Sequence, residues 1–237
     1  MRKLLGYVKK AVLDFNMIEN GDIVGVGVSG GKDSMALLYA LKLFQRFSPV
    51  KYDLKAFTLT LGFNDFDISP IQNFCKELEI PYIVQHTDIG KIVFEDRKEK
   101  SPCSLCARMR RGKLHSLCKN HGVTKLALGH HGDDAVETLF LSIFYESRIS
   151  TFLPVTYLDR IDLTMIRPLI YAKEQDIIDS VSRNDLPIVK NPCPADGKTK
   201  RQYMKNLLDQ IYKEIPNGRN HVIEALKNKD QLHIWDR

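Results

Sequence analysis

The chain has 237 residues, enough for one large domain or one domain with an appendage, and its 43% hydrophobic, 27% charged composition is that of an ordinary folded protein. No apolar run is long enough to cross a membrane, and Lys9, Lys10 and Asp14 interrupt the N-terminal apolar stretch before it reaches signal length, so no membrane association and a cytoplasmic setting are expected. Lys and Arg outnumber Asp and Glu by 35 to 29, a net charge of +6, and a basic surface of this kind suits a polyanion such as nucleic acid.

Leu5, Val8, Val12 and Phe15 recur near helical spacing and predict an amphipathic surface helix at the N-terminus, set apart as residues 1–21. A β-branched run at 22–28 predicts a buried strand, followed by a helix over 33–47 with Leu37, Ala40, Leu41 and Phe44 on one face. Further strands are expected at 52–61, 81–85 and 125–129, with helices over 69–79 and 133–147 between and after them. Residues 154–162 read as a loop, 163–167 as a short strand stopped by Pro168, and 173–183 as a helix. Asn191-Pro192-Cys193-Pro194 is a rigid, exposed break, and two more helices follow Lys198. Alternating strands and helices predict a doubly wound parallel α/β sheet over 22–190, with a short helical C-terminal extension over 191–237. Ligands of such sheets bind at the carboxyl ends of the strands.

Ser29-Gly30-Gly31-Lys32-Asp33-Ser34 joins the first strand to its helix, so glycine backbone, a helix N-terminus and a lysine charge meet at one point. That combination predicts a phosphate cradle. Gly25-x-Gly27-x-x-Gly30 matches the dinucleotide fingerprint, with Asp53 at a plausible distance for a ribose partner, but Gly25 and Gly27 fall inside the strand instead of the turn. A Walker loop is excluded because Val26 and Asp33 stand where it needs glycine and Ser or Thr. The bland alternative is a glycine turn whose Asp33 or Ser34 merely caps a helix. The loop itself resembles that of the PP-loop ATP pyrophosphatases, which cleave ATP between its α and β phosphates and adenylate a substrate.

The five cysteines of this nucleotide-binding pattern point to metal or catalytic use more than to disulfides. Cys103-x-x-Cys106 opens a helix, where two thiolates one turn apart can reach one metal and the helix start lowers their pKa. Cys193, bracketed by prolines, is the natural third ligand if the fold returns it. Cys118 lies about 18 Å further along the helix axis and is assigned with Cys75 to the core. His115 and His121 are beyond reach for the same reason. Three thiolates suit a four-iron cluster with one open iron, and zinc is the rival reading. Gly129-His130-His131-Gly132-Asp133-Asp134 ends the fourth strand at the same sheet edge as the glycine loop, where carboxylates can hold Mg²⁺ against ATP phosphates. His130 and Asp133 are the functional candidates there. The competing structural reading makes Asp134-x-x-Glu137 a capping box. Basic residues cluster at Arg97-Lys98, Lys100, Arg108, Arg110-Arg111 and Lys113, and again at Lys198, Lys200-Arg201 and Lys205, flanking the cysteines.

In order along the chain, Ser29–Ser34, Cys103-Ser-Leu-Cys106-Ala-Arg108-Met-Arg110-Arg111-Gly112-Lys-Leu114, Ala127-Leu-Gly-His-His131 with Asp133-Asp134 and Glu137–Leu141, Ile166-Arg-Pro-Leu-Ile170, and Cys193 followed by Arg201-Gln202 resemble the tRNA 2-thiocytidine synthetase family of tRNA sulfurtransferases, the TtcA type. The resemblance implies the PP-loop (adenine nucleotide alpha hydrolase-like) fold. It implies that Ser29, Gly30, Gly31, Lys32, Asp33 and Ser34, with Gly129 and His130, bind ATP, that Asp33 helps hold Mg²⁺, and that Lys32, Asp33 and Asp133 are catalytic. It implies that Cys103, Cys106 and Cys193 ligate a [4Fe-4S] cluster and that Arg108, Arg110, Arg111 and Arg201 contact tRNA. The activity implied is adenylation of C2 of the cytidine at anticodon-loop position 32, followed by replacement of oxygen with sulfur. A sulfur donor such as a cysteine desulfurase is the implied protein partner, and a homodimer is compatible with it. Alternatives are a thiouridine-forming or lysidine synthetase-like PP-loop enzyme, the latter having no need of the three cysteines, and a non-catalytic nucleotide-dependent iron–sulfur protein.

Overall fold

The computed structural model of the chain describes residues 1–63, 66–97, 102–190, 192–194, 199–228 and 230. Two compact units emerge, one from Met1–His131 with Leu153–Asp196, the other from Gly132–Phe152 with Gly197–Arg237.

The first unit is a six-stranded sheet in the order β3-β2-β1-β4-β6-β5, formed by β1 (Ile23–Gly27), β2 (Asp53–Thr60), β3 (Tyr82–His86), β4 (Lys125–Ala127), β5 (Val155–Leu158) and β6 (Leu163–Ile166). All pairings are parallel except β5 with β6, which is antiparallel. The segment 154–162, expected as a loop, therefore contains the edge strand β5. Its Val155-Thr156-Tyr157-Leu158 is too short and too exposed for a periodic signal, and pairing with β6 supplies the order.

Helices α1 (Arg2–Asp14), α2 (Lys32–Phe44), α3 (Ser69–Glu77), α4 (Ile89–Lys91), α5 (Pro102–Asn120) and α7 (Glu174–Arg183) belong to this unit, and α4 continues directly into a π-helical turn over Ile92–Asp96. α1 buries Leu4, Val8, Ala11 and Val12 completely or nearly so, packing on α2 and α7. The face is rotated from the expected Leu5–Phe15 stripe, because a helix buried on two neighbours takes small Ala11 into the contact. α2 is apolar on nearly every side, with eight of its residues buried between sheet and helices.

From β1 the chain winds outward to β2 and β3, then returns to place β4 on the other side of β1. Strand order reverses between β1 and β4, the point at which open α/β sheets form their ligand crevice. The second unit consists of α6 (Gly132–Glu146), α8 (Lys200–Glu214) and α9 (Gly218–Lys227), packed around Val136, Met204 and Leu208. Among the described residues no helix is long and apolar enough to span a membrane.

Candidate active site at the carboxyl edge of the sheet

The loop after β1 is built by its own residues. Gly30 has φ +82°, a left-handed value that costs an L side chain energy, and a Cβ there would meet Val189 Cβ at 3.0 Å and Ile71 Cδ1 at 3.3 Å. Gly31 is the N-cap of α2 in extended conformation. Ser34 Oγ donates to the Gly31 carbonyl at 2.9 Å and accepts from the Ser29 backbone N–H at 3.1 Å, so the loop is closed on itself. Ser29 Oγ lies 3.3 Å from Ser34 Oγ and accepts from Gly31 N–H at 3.4 Å. The glycines and the helix start thus bring backbone N–H groups together at one point, an arrangement suited to an anion.

Lys32 Nζ donates to Asp33 Oδ2 at 3.0 Å and pairs with Glu174 Oε1 at 3.1 Å. Burial works to lower its pKa, but the two carboxylates outweigh it and hold the ammonium above the ordinary lysine range. Asp33 Oδ1 is buried and accepts no hydrogen bond among the described residues. It lies 3.7 Å from Nε2 of His131, whose side chain is buried.

The loop after β4 approaches closely. A Cβ on Gly129 would lie 3.0 Å from the Asp33 carbonyl carbon and 3.1 Å from Ser34 N, so only glycine permits this backbone contact. His130 is half-buried in the same loop. The dinucleotide reading fails on geometry: Gly25 and Gly27 lie within β1, and Asp53 starts β2 opposite Ile23, at the amino edge of the sheet.

Asp133 and Asp134 belong to the second unit, in the first turn of α6. Both oxygens of Asp133 receive Arg219 of α9, Nη2 to Oδ2 at 3.1 Å with Nε on Oδ1. Arg201 of α8 binds Glu137 Oε2 at 3.0 Å and Thr138 Oγ1 at 3.0 Å, and lies 3.7 Å from Asp134. The capping box does not form, since Asp134 is already inside the helix and Glu137 is engaged by Arg201. Arg201 is committed to carboxylates of its own unit, and Lys200 stacks its ammonium 4.2 Å above the Tyr145 ring.

Cys103 and Cys106 lie in the first turns of α5, Cys103 exposed and Cys106 buried beside Leu61, Ile89 and Val93. Burial pushes the Cys106 thiol pKa up, Arg110 counteracts it, and Cys193 and Cys103 add to the rise. Cys106 is thus within electrostatic reach of both other cysteines. Among the described residues no three His, Cys, Asp or Glu side chains close to a metal-holding spacing, so the thiols share a neighbourhood without forming a finished ligand set. Cys75 and Cys118 are fully buried and pushed up to about 12 by burial, as expected of core residues. His121, just past the end of α5, packs edge-on to Phe57, and burial, then Arg111, lowers the pKa of His115. Arg108 and Arg111 are exposed and Arg110 half-buried; Lys98, Lys100, Asn191 and Lys198 lie outside the described residues.

Val189 packs beside the glycine loop, and Cys193 lies a few residues further along the sequence. Val189 N–H donates to the Gly30 carbonyl at 3.0 Å, and Cys193 follows four residues later, at most about 14 Å along an extended chain. Local sequence does not reveal this contact, nor the roles of Glu174 and Arg219, because nothing in their pattern distinguishes them from solvated charges or loop residues. Arg167 stands out in the sequence only as part of a motif. It is buried, donates to Leu153 O and to Thr156 Oγ1, and burial with nearby Arg111 pulls its pKa down to about 10, still charged at neutral pH.

Residues 5–211 match the family model of the PP-loop domain. The chain is 42% identical to a tRNA-cytidine(32) 2-sulfurtransferase of Geobacter metallireducens, over 100% of this chain and 93% of the relative. It is 39% identical to proteins of that name from Pelobacter propionicus, over 100% and 89%, and from Geobacter sulfurreducens, over 99% and 93%. Among solved structures it shares its fold with the U34-tRNA thiolase NcsA of Methanococcus maripaludis, determined with its [4Fe-4S] cluster, at TM-score 0.79 and 22% identity over 98% of this chain and 79% of that one. On this full-length similarity, the chain belongs to the tRNA-cytidine(32) 2-sulfurtransferase family of PP-loop proteins.

Proposed function

We propose that this chain is an ATP-dependent sulfurtransferase that converts cytidine 32 of the tRNA anticodon loop to 2-thiocytidine, releasing AMP and pyrophosphate. The observation that carries the reading is the join at Val189, which ties the phosphate-cradle geometry of Ser29–Ser34 to the segment leading to Cys193. Full-length similarity to relatives named for this reaction supports the choice of nucleotide.

The C2 oxygen of cytidine is a poor leaving group. Its attack on the α-phosphorus of ATP forms an O–P bond, breaks the bridge to the β-phosphate and releases pyrophosphate. Sulfur then adds at C2, and AMP departs with the original oxygen. Backbone N–H groups of the Ser29–Ser34 loop bind the phosphates, with the Ser29 and Ser34 hydroxyls shaping the loop. Lys32 stabilises charge growing on pyrophosphate, and Gly129 with His130 closes the site from the β4 side. Asp133 is assigned as an acidic catalytic residue.

Asp33 fits a divalent cation, because its Oδ1 is a buried acceptor with no hydrogen bond among the described residues. Mg²⁺ bound there supplies positive charge against the phosphates. Cys103, Cys106 and Cys193 share one electrostatic neighbourhood and supply the thiolate chemistry of a [4Fe-4S] donor set, which would close around the cluster when it binds, with Arg110 beside Cys106 favouring the thiolate. When bound, the cluster supplies an iron position not occupied by a protein thiolate, where sulfur can be carried. Arg108, Arg110 and Arg111 line the same helix and are assigned to tRNA phosphates; Arg201 is assigned with them once released from Glu137. A sulfur donor such as a cysteine desulfurase, a homodimeric assembly and a cytoplasmic location complete the proposal.

Nucleoside mass spectrometry of tRNA from cells with and without the gene tests it. Loss of 2-thiocytidine is expected. Unchanged 2-thiocytidine with loss of a thiouridine or of lysidine overturns the reading.

A further inference from the structure

Glu174 is the first residue of α7 and, with Asp33, one of two carboxylates beside the Lys32 ammonium. Its place in the fold is firmly held. The first turn of α7 is tied to α1 by Lys3 Nζ on Asp176 Oδ1 at 2.7 Å and by the Tyr7 hydroxyl on Asp176 Oδ2 at 3.1 Å, while Ile177 is fully buried. Glu174 itself is 20% exposed. A free surface glutamate would gain little by pairing with a lysine. Here a fixed helix end brings a carboxylate within 3.1 Å of the lysine in the phosphate loop.

An ammonium has three N–H donors and rotates on a flexible four-carbon stem. With Asp33 and Glu174 engaging two of them, the stem is held in one geometry and the third donor is available to a phosphate oxygen. Without Glu174, Lys32 would keep its charge but lose its fixed direction, and preorganised direction is what makes charge stabilisation effective in a transition state.

We infer that Glu174 is a positioning residue that aims the Lys32 ammonium at the phosphates of bound ATP. The inference rests on the reading of Ser29–Ser34 as the ATP phosphate site. It does not depend on the identity of the nucleoside that is adenylated. Its signature separates binding from turnover: ATP still finds the backbone donors of the loop, whereas stabilisation of the leaving pyrophosphate weakens.

The test compares Glu174→Ala and Glu174→Gln with the unsubstituted protein, using full-length protein purified without oxygen. AMP formation from ATP and tRNA gives kcat, and equilibrium dialysis of labelled ATP gives Kd. Glu174→Ala should lower kcat by about tenfold or more while changing ATP Kd less than threefold. Glu174→Gln keeps an oxygen acceptor for Lys32 and should restore kcat to within about threefold of the original. An independent readout needs no tRNA. Amine acylation of Lys32, followed by peptide mass spectrometry at pH 8.5, should be faster in Glu174→Ala, because the ammonium keeps Asp33 but loses the second of the two carboxylates that hold its proton, and bound ATP should protect it.

Wild-type kcat in Glu174→Ala overturns the inference. So does equal loss in both variants, which would make the charge and not the geometry the active element, and so does unchanged acylation. If the unsubstituted protein makes no AMP with tRNA yet the acylation and ATP-protection pattern holds, the function proposal fails and the Glu174–Lys32 assignment stands. Thermal unfolding of both variants identifies a folding defect, and Glu174→Gln carries the test if Glu174→Ala unfolds.

Discussion

Replacing Gly30 with alanine probes the coupling between the phosphate loop and the third cysteine. At φ +82° an alanine is strained by about 1–2 kcal/mol. Its Cβ would sit 3.0 Å from Val189 Cβ and 3.4 Å from the Val189 carbonyl, too close for backbone that cannot swing away. Segment 189 must therefore move, and the Val189–Gly30 hydrogen bond, worth about 1 kcal/mol, is broken or stretched. The sum, about 2–3 kcal/mol, corresponds to a fall in Tm of roughly 4–12 °C for a chain of this size. Cys193 follows Val189 by four residues in the sequence, so Gly30→Ala should lower both ATP binding and iron retention, although the two chemistries use different side chains. Gly31→Ala is the control, since Gly31 has an ordinary φ of −74° and its Cβ would touch only Ser29 Oγ at 3.5 Å. Differential scanning fluorimetry, ATP dialysis and iron analysis on anaerobically prepared protein read all three effects. A Gly30→Ala protein with unchanged Tm and ATP affinity, or one that loses ATP while its iron content stays whole, would refute the coupling.

Cys193→Ser should lose the cluster or retain it loosely, whereas Cys118→Ser should keep full iron content; the visible absorption and iron-to-protein ratio of the two preparations decide the ligand set. Neutralising Arg108 and Arg111, both exposed on α5, should weaken tRNA binding and flatten its salt dependence, because a phosphate that no longer meets an arginine keeps its counterion when the complex forms. Filter binding across a salt series checks this, and an unchanged slope would move the RNA surface elsewhere. Cluster or metal loading should improve as pH rises above neutrality, since the Cys106 thiol, raised by burial, must give up its proton to become a ligand. The sign is specific: Arg110→Ala removes a cationic influence that lowers that thiol and should shift the loading curve further to alkaline pH, measured by reconstitution over a pH series.

Much of this architecture is short-range information. The β-branched run of β1, the glycines and the start of α2 all lie between Ile23 and Lys32, so local sterics and the helix end specify the phosphate loop largely from short-range information. The same holds for the Cys103–Cys106 pair, whose one-turn spacing follows from helix geometry. Cys118 is legible as a core residue because one continuous helix carries it too far past Cys106 to share a site. What the chain's local pattern leaves open depends on contacts between distant segments. β5 is ordered by pairing with β6, and the α1 face is set by α2 and α7 together. Asp133 and Arg201 look like free candidates in sequence, but their partners Arg219 and Glu137 stand 86 and 64 positions away. Glu174 has the spacing of any charged residue at a helix start, and only the packing of α7 on α2 brings it to Lys32. A motif records which groups a backbone can hold in place over a few residues, whereas ion pairs across a fold depend on the side chain that arrives from elsewhere, and that is decided by tertiary packing alone.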